Sequence, residues 1–275
     1  MKKALSFEFY PPKSAEARQK LQTTWQRLKQ FNPDFYSCTF GAGGSTREGT
    51  LQAVKDIMQE GVPAAPHLSC IGATKDNLRD ILTEYKDNDI RHLVALRGDI
   101  PSGTIGFGDF RYGNELVQFI RDEFSDWFHI EVAAYPEYHP QANNAQSDID
   151  HFAEKVRAGA NSAITQYFYN ADAYFAFVDE VSARGIDIPI VPGIMPITGF
   201  SNLVRFSDLC GAEIPRWLRL KLQSYADDIA SIKALGLDVV TELAEKLLSN
   251  GAPSLHFYTL NQAETVHTIC KRLGY

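Results

Sequence analysis

Two hydrophobic periods alternate along the chain. Short runs rich in β-branched and aromatic residues are separated by longer stretches whose apolar positions recur at helical spacing. The strand-like runs are ALSFEFY (4–10), DFYSCTF (34–40), AAPHLSC (64–70) and RHLVALRGD (91–99). They continue with FHIEVAAYPE (128–137), SAITQYFY (162–169), IPIVPGIMP (188–196) and SLHFYTL (254–260). Helical patterns such as AEARQKLQTTWQRLKQF, NLRDILTEYKDN, SDIDHFAEKVRAG and ADAYFAFVDEVSARG lie between them. Ser14, Thr74 and Asn170 stand at N-cap positions, and several helical patterns run into a glycine, as a helix C-terminus favours.

Eight strands, each followed by a helix, predict an α/β chain folded as a (β/α)8 TIM barrel. No linker or composition break divides it, so the expectation is one catalytic domain over residues 1–275. The stretch GAEIPRWLRLKLQSYADDIASIKAL (211–235) is surplus to the repeat. It reads as a helical insertion in the seventh βα unit, before the last strand.

The strands also carry polar residues that a buried strand does not need. Glu8 sits between Phe7 and Phe9. A lone buried carboxylate is costly, so Glu8 either pairs with a base or serves as a proton donor. A barrel gathers its catalytic residues where strands run into the following loops. Thr39, His67, Arg97, Gly98, Asp99, Tyr135, Glu137, His139, Gln166 and Tyr258 all fall on or just after strand runs. Each has a structural alternative: His67 can bond neighbouring backbone, Arg97 and Asp99 can form a loop ion pair, and Tyr258 can simply fill space. The amide of Gln166 in an apolar run needs partners.

Composition narrows the chemistry. The 275 residues are 44% hydrophobic and 22% charged, with a net charge of −7 and a pI near 5.5. An acidic chain argues against nucleic acid or an anionic membrane as the main partner. No apolar run reaches the ~20 residues of a membrane span, and MKKALSFEFYPP lacks the apolar core of a signal peptide. Cys38, Cys70, Cys210 and Cys270 are scattered and read as free thiols, so a cytoplasmic protein is expected. There is no HExxH, close His/Cys cluster, GxSxG or Walker loop, so no metal is expected. GAGGST (41–46) lacks the third glycine of a dinucleotide fingerprint, and GTIGFG (103–108) reads as a flap.

FEFYPP, TFGAGGS, APHLSC, LRGD, AAYPEYHP, AGANSAITQYFY, VPGIMPI and HFYTLNQAE occur in this order. Together they resemble the methylenetetrahydrofolate reductase family over nearly the whole chain, in its short form without a regulatory domain. The resemblance implies an FAD-dependent oxidoreductase of one-carbon metabolism that feeds methionine synthesis. NADH or NADPH would reduce the flavin, which would then reduce 5,10-methylenetetrahydrofolate in a ping-pong cycle. It implies Glu8 as general acid, and Asp99 between flavin and pterin. Gln166, Phe206, Tyr258 and Gln262 would contact substrate. For FAD it points to Thr39, Phe40, Ala42, His67, Arg97, Gly98 and Asp99. Tyr112, Gly113, Tyr135, His139, Ala142, Asp148, His151 and Lys155 complete that set. A homo-oligomer is implied as well. Gln262 and Glu154 depart from the family pattern, where basic residues are common. The rival readings are a flavin-independent reductase and a non-catalytic folate- or flavin-binding partner of a methyltransferase.

Overall fold

The structure is a computed structural model that describes residues 4–40, 47–98 and 108–275. Its strands are β1 Ala4–Phe9, β2 Phe35–Cys38, β3 Ala64–Ser69, β4 His92–Leu96, β5 His129–Ala134, β6 Ser162–Thr165, β7 Ile190–Val191, β8 Gly193–Ile194 and β9 Ser254–Tyr258. The first six helices are α1 Ala15–Lys29, α2 Arg47–Gln59, α3 Lys75–Asp87, α4 Gly113–Phe124, α5 Ala145–Arg157 and α6 Ala171–Ala183. Four more follow as α7 Phe200–Cys210, α8 Arg216–Ser224, α9 Ile229–Ser249 and α10 Glu264–Arg272.

Helix starts follow their caps. The side chains of Ser14, Thr74 and Asn170 accept backbone N–H groups of Ala17, Asn77 and Asp172, which satisfies donors a helix leaves free at its first turn. Every strand pairing is parallel, and the strands run in spatial order from β7 back through β6 to β1, then β9 and β8. β7 and β8 are successive pieces of one strand. β7 pairs with β6 and β8 pairs with β9, so residues 190–194 close the barrel.

The run at 188–196 thus forms two short strands instead of one. Pro192 stands between them and has no N–H for the ladder. The next donor, Gly193 N–H, goes to Thr165 Oγ1 at 2.9 Å, a side chain substituting for a neighbouring strand. An added Cβ at Gly193 would lie 2.1 Å from the Thr165 carbonyl oxygen and 2.6 Å from Tyr258 Cε2. Only glycine lets these three approach so closely.

Strand alternation divides the core in two. Leu5, Phe7 and Phe9 face the helices, where Phe9 meets Trp25 edge-on with centroids 6.1 Å apart. Phe35, Ala65, Val94, Ile164 and Val191 form a separate apolar cluster inside the barrel. The surplus before β9 becomes α8 and the first part of α9, whose helical period continues well past residue 235. Gly236 lies within α9 because its missing side chain admits Ile197, whose carbonyl oxygen would be 2.5 Å from a Cβ there. Among the described residues no helix is long and apolar enough to cross a membrane.

Candidate active site

Alternation turns Glu8 away from its phenylalanine neighbours and into the barrel, where its side chain remains 20% exposed. Two imidazoles flank it. His67 Nε2 on β3 lies 3.4 Å from Glu8 Oε2, and His256 Nε2 on β9 lies 3.8 Å from the same oxygen. His256 is held from behind, its Nδ1 2.7 Å from Ser6 Oγ. Burial pushes the His67 imidazole towards its neutral form, Glu8 opposes that shift, and His256 reinforces it.

Glu8 and His67 open into a cavity of about 350 Å³ at the C-terminal mouth. Tyr135, Gln166, Phe206 and Tyr258 line it, together with Tyr167, Met195, Leu209, Cys210 and Leu260. The lining is largely apolar and aromatic, with no lysine or arginine among the described residues. Gln166 Oε1 accepts the Tyr167 backbone N–H at 3.0 Å, which orients the amide. Tyr258 donates its hydroxyl to the Thr165 carbonyl at 2.7 Å, leaving its ring as the surface presented to a ligand. Phe206 comes from α7 and is partly buried against the core.

A second group of predicted residues lies on the neighbouring loops and helix starts. Gly98 has φ +85°, and a Cβ there would meet Ser69 Cβ at 2.9 Å, so glycine is required for this turn. Arg97 reaches Gln141 through its guanidinium. Gly113 opens α4 beside the backbone of Arg97 and the stem of Lys155, each 3.7 Å from where a Cβ would stand. Tyr112 stacks on His151 with centroids 5.8 Å apart, and Tyr135 meets His139 edge-on at 4.6 Å. His139 N–H donates to Asp148 Oδ2 at 3.0 Å, and Ala142 N–H to the His139 carbonyl at 2.8 Å. Lys155 donates to the Ala133 carbonyl, and burial pushes its ammonium down to about 8 although Asp148 opposes the shift. Thr39 Oγ1 is buried without a hydrogen-bond partner among the described residues. Phe40 follows it at the edge of the described segment.

Asp99 and Ala42 lie outside the described residues, as do GAGGST and all of GTIGFG except Gly108. Gln262 does not line the cavity; its backbone N–H donates to the Thr259 carbonyl at 2.9 Å. Glu154 sits 3.4 Å from His151 Nδ1. Glu137 is drawn away from the mouth, accepting the Glu213 N–H at 2.8 Å. His256 and Ser6 went unnoticed in the sequence, although alternation from Tyr258 and Glu8 puts both on the inner face. Tyr167 and Cys210 were also missed; the Tyr167 hydroxyl lies 3.0 Å from Ser207 Oγ, joining the end of β6 to α7.

The family model described as methylenetetrahydrofolate reductase matches residues 1–274. The 5,10-methylenetetrahydrofolate reductases of Salmonella typhimurium and Escherichia coli are each 42% identical over 271 residues, 98% of this chain and 90% of theirs. Methylenetetrahydrofolate reductase (NADH) 1 of Arabidopsis thaliana is 37% identical over 98% of this chain but only 48% of its own length. Among solved structures, an uncharacterised Clostridium thermocellum protein that binds two copies of 5-methyl-5,6,7,8-tetrahydrofolic acid superposes with a TM-score of 0.67 at 18% identity. That match covers 98% of this chain and 93% of the other, and at such identity it speaks for the barrel fold alone.

Proposed function

The chain belongs to the methylenetetrahydrofolate reductase family, and from that premise we propose an FAD-dependent reductase that makes 5-methyltetrahydrofolate from 5,10-methylenetetrahydrofolate. NADH or NADPH is the electron source, and the two substrates take turns at one site. The observation that carries this reading is Glu8, an acid facing a largely apolar cavity between two imidazoles, with Gln166, Phe206 and Tyr258 on the same lining.

Each group has a task. The rings of Phe206 and Tyr258 offer flat faces to a pterin or a nicotinamide. The amide of Gln166 can both donate and accept, which suits the edge of either ring. Glu8 is the general acid: it delivers a proton to the folate nitrogen whose bond to the methylene carbon breaks. That opening leaves an iminium carbon ready to accept hydride. His67, which burial pushes towards its neutral form, lies 3.4 Å from the carboxyl and orients it. The apolar lining excludes water from the reactive carbon.

The residues fit FAD. Thr39 Oγ1 lacks a partner among the described residues, Gly98 and Gly113 keep the approach narrow, and Arg97, His139 and Lys155 can meet a diphosphate. The remaining contacts belong to Phe40, Ala42, His67, Asp99, Tyr112, Tyr135, Ala142, Asp148 and His151. Bound there, FAD supplies two-electron storage between the two substrates. The NADH in the Arabidopsis relative's name supports testing that nucleotide first. Family membership supports extending the reading to a cytoplasmic homo-oligomer acting as one catalytic domain. The test is the absorption spectrum of purified protein before and after anaerobic NADH. A flavin band that bleaches, and returns on adding methylenetetrahydrofolate, is expected. Protein that stays colourless after incubation with FAD would overturn the cofactor assignment.

A further inference from the structure

The other end of the barrel holds a second cluster. His92 opens β4, His129 opens β5 opposite it in register, and Glu131 lies two residues further on, paired in register with Ser162 of β6. The family chemistry uses none of these at the C-terminal mouth. Glu131 is 4% exposed at its side chain, yet two imidazoles converge on it. His92 Nε2 lies 3.1 Å and His129 Nε2 3.4 Å from the same atom, Glu131 Oε1. His129 Nε2 is also 2.8 Å from Ser162 Oγ, and the two imidazole centroids are 4.5 Å apart. The other carboxylate oxygen, Glu131 Oε2, is buried with no hydrogen-bond partner among the described residues.

Hydrogen bonding alone leaves this arrangement unfinished. Two imidazoles crowd one oxygen while the second oxygen of a buried carboxylate goes unpaired, which costs the full desolvation of that atom. A cation would serve all three groups. In a tetrahedral site with bonds of about 2.0–2.1 Å, ligand atoms lie about 3.4 Å apart along each edge. The His–Glu separations of 3.1 and 3.4 Å match such edges, and one ligand atom from each residue fits within 4.8 Å of the others. Two neutral imidazoles and one carboxylate are a ligand set suited to Zn²⁺, with a fourth position for water. Access exists as well: His129 is 47% and His92 18% exposed, while Phe35 closes the inner side with its ring 4.1 Å from that of His92.

We propose that His92, His129 and Glu131 form a divalent-cation site, selective for Zn²⁺-like ions, at the N-terminal mouth of the barrel. The ion ties the start of β4 to the start of β5. The N-terminal end of a barrel lies away from the catalytic face, so the site is structural. It is independent of the folate and flavin reading.

The test uses tag-free, full-length protein stripped with a chelator and titrated with ZnCl₂ or CoCl₂. One equivalent should bind at micromolar concentration or tighter. Co²⁺ should give the intense visible bands of a four-coordinate ion, without the thiolate charge-transfer band that a cysteine ligand would add. Zn²⁺ at a hundredfold excess over its Kd should raise the melting temperature by roughly 5 °C. His129→Ala, at an exposed position that should fold normally, and His92→Ala should each weaken binding at least about tenfold. Absence of binding below millimolar Zn²⁺ overturns the proposal. So does binding that His129→Ala leaves unchanged, or a Co²⁺ spectrum with thiolate character.

Discussion

Glu8 Oε2 lies 3.4 Å from His67 Nε2, and burial holds that imidazole towards its neutral form. An acid on β1 and a base on β3 thus share one buried corner of the mouth without forming a fixed ion pair.

If Glu8 is the proton donor, Glu8→Gln keeps its shape but cannot deliver a proton. Nicotinamide oxidation needs no proton from this group and should survive within roughly a factor of ten. Folate reduction should fall by ~10² or more, the usual scale for a positioned acid. Stopped-flow traces of the separate half-reactions check this. Equal losses in both halves would return Glu8 to a structural role.

His67 makes stability depend on pH in a known direction. Its folded pKa lies below the ordinary 6.5, so the unfolded chain binds more protons in the window beneath that value. Stability should be intact above it and decline as pH falls through it, by up to about 1.4 kcal/mol per pH unit. His67→Gln should flatten that decline, as urea unfolding at a series of pH values would show. An unchanged slope would mean the imidazole is already charged in the fold.

Gly193→Ala places a Cβ against the Thr165 carbonyl and the Tyr258 ring. The added methyl must push the Thr165 carbonyl and the Tyr258 ring out of their packed positions, so a loss of about 2 kcal/mol or more is expected. The displaced Tyr258 ring should also raise KM for folate. Denaturant midpoints and steady-state kinetics give both readouts, and a variant as stable as wild type would mean the seam relaxes freely.

Lys155 supplies a pH test of the proposed FAD site. Its ammonium titrates at about 8 in the ligand-free protein, and a bound diphosphate would raise that value. Between the two values binding takes up one proton, so FAD affinity should fall about tenfold per pH unit above 8. Lys155→Arg keeps its charge and should flatten the dependence. Fluorescence titration of apoprotein with FAD measures it; a pH-independent wild type would remove Lys155 from the diphosphate.

The barrel was readable because parallel strands covered on both faces appear as apolar runs, and helices between them announce their caps. The break at Pro192 was masked by the apolar run IPIVPGIMP, although a proline inside a strand, with no N–H for the ladder, is itself the signal for it. The reach of α9 was not readable, because Gly236 looks like a stop until Ile197 is seen against it. At the site, Glu8, His67, Tyr135, Gln166 and Tyr258 were legible from their strand positions and Phe206 only through the family resemblance, and all line one cavity. A histidine beside a phenylalanine in a strand, such as His256, carries no local signal of a functional position. Its place beside Glu8 depends on β1 and β9 being neighbours, a closure that no local pattern encodes.

The interruption at Pro192 also decides where the cylinder can give. On each flank residues 190–194 are held by two register pairs, whereas β1 has five with β9 and four with β2. A hoop yields at its thinnest section, and local opening follows the fewest cross-strand bonds. That section carries Gly193 beneath the Tyr258 ring and runs on into Met195 of the cavity lining. If two dissimilar substrates take turns here, as proposed, this stretch of wall is the part best placed to adjust to each. The β1–β2 side, which carries the acid, stays rigid.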